Sequence, residues 1–86
     1  MMNFLDVLNA ATSDLSDNKL SQKLGIRRQT VSGWRNCGKI PEDETLDKLA
    51  ELTGIPVEKV YFAAYSDKVQ NPIVAELLRN NSNLNA

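Results

Sequence analysis

The 86-residue chain has no histidine and a single cysteine, Cys37. Without histidine, the commonest general base near neutral pH is missing. A lone cysteine forms no internal disulfide, and with no histidine beside it a zinc site lacks its usual ligands. Glycine occurs four times and proline three times, with no Gly-rich phosphate loop and no nucleophile elbow. These absences argue against an enzyme and leave no residue to assign as catalytic, cofactor-binding or metal-ligating. No apolar run approaches the ~20 residues of a membrane span, so no membrane partner is expected. Residues 1–6 lack the basic and apolar regions of a signal peptide, and the expected location is the cytoplasm. The scarcity of glycine and proline beside 42% hydrophobic residues fits a helical domain. The length fits one domain near the lower end of what a single core supports.

Acid is also missing, but only locally. Residues 18–41 hold Lys19, Lys23, Arg27, Arg28, Arg35 and Lys39, six of the ten basic residues, and no acid. The other 62 residues (86 less the 24 of this window) hold four basic and eleven acidic residues, so +6 stands against −7. The formal net charge of −1 hides this asymmetry. A basic stripe on an acidic body presses one face onto a polyanion while the rest of the surface stays soluble. The plain alternative is a solvated helical face that is basic by chance.

Leucines and alanines recur at helical spacing, and no stretch alternates with period two. Phe4, Leu5 and Leu8 give an apolar face to a first helix over roughly 3–12. Ser16 or Asp17 can cap a second helix that carries Leu20 and Leu24 and stops at Gly25. A third, roughly 28–36, turns Val31 and Trp34 inward at i, i+3. That spacing makes Trp34 a core residue rather than a base-stacking platform. A fourth runs from about 42 to 53, with Glu42, Asp43 and Glu44 at its positive end and Leu46, Leu49, Ala50 and Leu52 on its buried face. Gly54 ends it. Pro56 opens a fifth carrying Val57, Val60, Tyr61 and Ala64, and Pro72 opens a short sixth with Ile73, Val74, Leu77 and Leu78. The architecture expected is all-α, a bundle of five to six short helices over residues 1–79. Residues 80–86, mostly Asn and Ser, read as a disordered tail.

The second and third helices carry the information. Both are short, and a glycine lies in the turn between them, which is helix-turn-helix geometry. Leu20 and Leu24 seat the second helix on the core. Ser21 is small where the two helices cross. Gly25 stands where the turn favours positive φ. Val31 and Trp34 anchor the third helix from behind.

The segment LGIRRQTVSGWRN (24–36) resembles the XRE-type helix-turn-helix family, which includes the Cro and CI repressors of temperate phages. LDKLAELTGIP (46–56) continues the likeness, which covers roughly residues 3–65. The fold implied is lambda-repressor-like. The partner implied is a double-stranded DNA operator, read in the major groove by the start of the third helix. The ending, with Asn71 and Pro72 opening a last helix, resembles small phage-related members of the family. The family's base-reading positions fall on Arg28, Gln29 and Ser32, with Arg27 beside them. Arg pairs with guanine O6 and N7, and Gln with adenine N6 and N7. Phosphate positioning falls to Asn18, Lys19, Gln22, Arg35, Asn36 and Lys39, with Lys23 a weaker candidate that can point away. Thr30 can meet a phosphate or a thymine methyl.

Three positions depart from the family pattern. Arg27 stands where Ser often caps the third helix, and a lost cap costs about 1 kcal/mol. Gly33 stands inside that helix, where a long polar residue is usual, at a further cost of about 1 kcal/mol. It either admits the sugar-phosphate backbone closely or makes one contact fewer. Cys37 occupies a frequent glycine position with Gly38 following, so the loop is expected to turn one residue later.

A homodimer on a pseudo-palindrome is the expected assembly. Val69, Ile73 and Leu77, and Val74 with Leu78, offer apolar surface for it on the sixth helix, and Phe62 and Tyr65 on the fifth. The acidic residues Glu58, Asp67 and Glu76 can instead meet a protein partner. The function implied is a transcriptional regulator, a phage or prophage repressor. Two other readings stay open. One is a phage accessory protein-interaction module on the same fold. The other is an antitoxin that autoregulates its operon.

Overall fold

Asn3 starts the first helix with a reciprocal cap. Its Oδ1 accepts the Asp6 backbone N–H at 3.0 Å, and Asp6 Oδ2 accepts the Asn3 N–H at 3.0 Å. The computed structural model describes residues 3–82. Among them the chain forms α1 (Phe4–Ala11), α2 (Asp17–Leu24), α3 (Arg28–Asn36), α4 (Asp43–Thr53), α5 (Val57–Lys68) and α6 (Pro72–Ser82). No strand occurs among the described residues, and the all-α bundle agrees with the sequence. Ser16 caps α2 through the Lys19 N–H. Glu42 and Pro56 stand one residue ahead of α4 and α5 as their N-caps. Asn71 caps α6, its Oδ1 accepting from the N–H groups of Ile73 and Val74 at 2.9 and 3.2 Å. Among these helices none is long and apolar enough to cross a membrane.

The core draws on α1 to α5. Phe4, Val7 and Leu8 of α1 meet Leu20 of α2, Val31 and Trp34 of α3, Leu46 and Leu49 of α4, and Val60, Ala63 and Ala64 of α5. Trp34 is buried, with its ring edge-on to Phe4, centroids 6.0 Å apart and planes at 87°. Edge-to-face pairing suits the two ring quadrupoles. Three expected core positions lie outside instead. Leu5, Leu52 and Val57 are exposed. At 100° per residue Val7 shares the inward face with Phe4, Leu8 and Ala11, and Leu5 is rotated off it. Leu52 likewise falls beside the Leu46, Leu49 and Ala50 stripe.

Polar ties fix the outer helices. Asp67 of α5 accepts the Phe4 N–H at 3.1 Å and pairs with Arg79 of α6 at 3.5 Å. An acid read as surface for a partner is therefore used inside the fold. The Tyr61 hydroxyl donates to Asp47 at 2.8 Å, and the Tyr65 hydroxyl donates to Asp43, joining α5 to α4. α6 lies on α5 with Ala75 buried and continues to Ser82. Residues 80–82, expected in the tail, are thus helical, because no glycine or proline follows Pro72 to stop the helix. Residues 83–86 of that tail lie outside the described residues.

Trp34→Ala should cost about 3–5 kcal/mol in urea unfolding, the range for emptying a buried large aromatic site. The Asp47 hydrogen bond pushes the Tyr61 phenol up to about 12, and the Asp43 bond raises Tyr65 as well. The unfolded phenol releases its proton near pH 10, before the folded one does. This contribution is whole below pH 10 and lost as pH rises through about 12. Alkaline absorbance titration should show a tyrosine ionising well above its ordinary range, and Asp47→Asn should bring it down.

Candidate nucleic-acid interface

The turn joining α2 to α3 contains Gly25, Ile26 and Arg27. Gly25 has φ 69°, in the left-handed region that glycine enters without strain. Its N–H donates to Gln22 O at 3.2 Å, and the Ile26 N–H donates to Ser21 O at 3.0 Å. This pair of bonds is a Schellman motif, and Ile26 packs against the core as its hydrophobic member. Ser21 is buried at the crossing, its hydroxyl donating to Asn18 O at 2.6 Å.

α3 is anchored by Val31 and Trp34. On the side away from them the helical period sets Gln29, Ser32, Gly33 and Asn36, with Arg28 on one flank and Thr30 on the other. Arg27, Arg28, Gln29 and Ser32 are all exposed, so the four base-reading candidates come together over the first turns of α3. Arg27 is the N-cap residue and makes no side-chain cap bond, as its departure from the family pattern implies. Asn36 Nδ2 donates to Ser32 Oγ at 3.1 Å, joining a base candidate to a phosphate candidate. Asn18, Lys19 and Gln22 are exposed on α2, and Thr30 and Lys39 are exposed beside the start of α3 and after its end. Among the described residues Lys19, Lys23, Arg27, Arg28 and Lys39 make no ion pair with an acid. Lys23 borders a hollow with Lys48, Glu51 and Leu52 of α4, apart from the α3 surface.

Arg35 is placed differently from its expected phosphate role. Its Nε and Nη2 donate to the two carboxylate oxygens of Asp17, each at 2.9 Å. Nη1 donates to Asn9 Oδ1 at 2.9 Å, and Nη2 also donates to Thr12 Oγ1 at 3.2 Å. The planar fork matches the carboxylate side-on, and four hydrogen bonds hold the group against the body. Arg35 therefore joins the end of α3 to the start of α2 and the end of α1. None of Asn9, Thr12 and Asp17 was expected to meet Arg35; Asp17 was read only as an alternative cap of the second helix. An Asp and an Arg 18 residues apart on different helices share no local pattern that would have shown them.

Past α3 the chain turns at Gly38, φ 69°, one residue beyond Cys37 as the sequence suggested. A cleft of about 570 Å³ lies between α3 and the segment 39–45. Arg27, Gln29, Thr30, Lys39 and Glu42 line it together with Ile26, Trp34 and Ile40. No group of three His, Cys, Asp or Glu suited to a metal occurs among the described residues.

A family model described as helix-turn-helix matches residues 13–60, more than half of the chain. The chain belongs to the XRE-type helix-turn-helix family. The matched stretch includes α2, α3 and α4 and every candidate contact named above; α1 and α6 lie outside it. No curated protein and no solved structure matches the chain. The family is one of DNA-binding transcription regulators, not of enzymes, and this chain is a DNA-binding regulator of that kind.

Asp17→Asn and Arg35→Met should each destabilise the fold. In a double-mutant cycle read by urea unfolding, the pair should couple by about 1 kcal/mol. That is less than a fully buried charged bond would give, because both side chains remain about a third exposed.

Proposed function

We propose that this XRE-family member is a sequence-specific, double-stranded DNA-binding repressor of phage or prophage type. It acts in the cytoplasm by occupying an operator and occluding a promoter. One observation carries the reading: Arg27, Arg28, Gln29 and Ser32 converge, exposed, on the start of α3, amid basic residues that no acid of the described chain neutralises. α3 enters the major groove, where Arg28 and Arg27 suit guanine and Gln29 suits adenine. Asn18, Lys19, Gln22, Thr30, Asn36 and Lys39 set the register on phosphates, and Arg35 holds α3 in place rather than touching DNA. A homodimer reads the two halves of a pseudo-palindrome. Ile73, Val74 and Leu77, all exposed on α6, support a two-fold contact there.

Selection of the pure protein on a random duplex library near physiological salt tests this. A two-fold symmetric site with half-site centres about one helical turn apart is the expected product. With about four phosphates neutralised per monomer, log K should fall with log salt at a slope of about −4 per monomer. Arg28→Ala with Gln29→Ala should weaken operator binding by about a hundredfold or more while leaving the melting temperature near that of the wild type. A single enriched half-site would remove the dimer and keep the repressor. No enrichment would remove the repressor.

A further inference from the structure

Gly33 lies at the middle of the α3 face that points away from Val31 and Trp34, one turn after Gln29. A glycine inside a helix lowers its stability, so the bare position needs a reason. The loop supplies one. The left-handed turn at Gly38 folds the chain back, and the Lys39 N–H donates to Gly33 O at 3.3 Å. Lys39 then lays its side chain across the bare position. A Cβ built on Gly33 would stand 3.3 Å from Lys39 Cδ, tighter than ordinary van der Waals contact, and beyond the flanking residues and the local helix backbone no other group approaches it within 4 Å. The same residues line the cleft with Gln29 and Thr30. Lys39 makes no ion pair with an acid among the described residues.

We infer that Gly33 and Lys39 act as one DNA-reading unit: the glycine is bare so that the Lys39 stem can cross α3 and deliver its ammonium to acceptor atoms of the DNA. This deepens the repressor reading and rests on it. The position that α3 leaves without a side chain is served by a lysine from the loop. Lys39 is thereby held to the reading face instead of swinging in solvent. Its acceptor is an oxygen, either on a phosphate or on a guanine edge.

The test uses wild type, Gly33→Ala, Lys39→Ala and the double variant on duplex DNA, with melting temperatures measured alongside. Lys39→Ala should weaken binding about tenfold. Gly33→Ala should weaken it severalfold while melting at or above the wild type, since alanine favours the helix. The double variant should bind no worse than Lys39→Ala alone, because the glycine acts through the lysine. A salt slope shallower by about one, with site preference kept, identifies a phosphate. An unchanged slope with relaxed preference at one base pair identifies a guanine. Gly33→Ala binding like wild type would overturn the inference, as would losses that multiply in the double variant. A marked drop in its melting temperature would also overturn it, showing that the bare position serves packing. A wild-type chain that binds no duplex would remove this inference and the repressor reading together.

Discussion

The Arg35 guanidinium ties the end of α3 to α2 and α1. Next to it in sequence, Trp34 is buried against Phe4. α3 is thus held at its C-terminal end by an apolar anchor and a polar one on adjacent residues. The apolar anchor, with Val31 and Trp34 both buried, resists withdrawal from the core and sets the rotation of α3 about its axis. The bidentate bond to Asp17 and the bonds to Asn9 and Thr12 reinforce that rotation, because a planar fork meets a carboxylate in few geometries. Gln29 and Ser32 point outward only if the rotation is fixed. The pair also answers two helix ends at once. Asp17 lies in the positive first turn of α2, and the arginine lies beside the end of α1, which has no basic residue in its own last turn.

Placing Arg35 inside the fold changes how the charge of the chain is used. The basic window has six cations in sequence, but one faces an acid from just before the window. The five others border α2, α3 and the following loop. Asp67 is the counterpart on the acidic side, held between the first N–H of α1 and Arg79. Asp43 and Asp47 likewise accept from tyrosines. Charges read from composition as two opposed surfaces therefore divide into those that build the molecule and those that face outward. The outward positive set is what a polyanion meets first.

Much of this was legible before any coordinates. The spacing of Leu20, Leu24, Val31 and Trp34 and the glycines at 25 and 54 defined the helices to within a residue or two, because apolar periodicity and left-handed caps are local properties. Arg27, Arg28, Gln29 and Ser32 were indicated by the resemblance to the family, and the structure sets all four exposed at the start of α3. Leu5, Leu52 and Val57 misled because hydrophobic character alone does not say which side of a stripe lies outward. The Arg35 network and the Lys39 crossing of Gly33 were hidden, since each joins residues from different elements. Gly33 was noticed as an oddity, but only the loop geometry shows what lies over it.

The six helices also differ in how their N-termini are settled, and the difference bears on function. α1, α2 and α6 have side-chain caps, from Asn3, Ser16 and Asn71. α4 and α5 lack one but carry acids in the first turn. Among the described helices α3 alone has neither, and it places Arg27 and Arg28 at its positive end, against the helix dipole. The arrangement is unfavourable in the free protein. In the proposed complex it turns favourable, because the DNA brings acceptor atoms to the two guanidinium groups and negative charge to the positive end of the helix. On that reading, DNA restores the stability that α3 lacks at its start. The anchoring at its other end, through Val31, Trp34 and Arg35, keeps the helix in place until that happens.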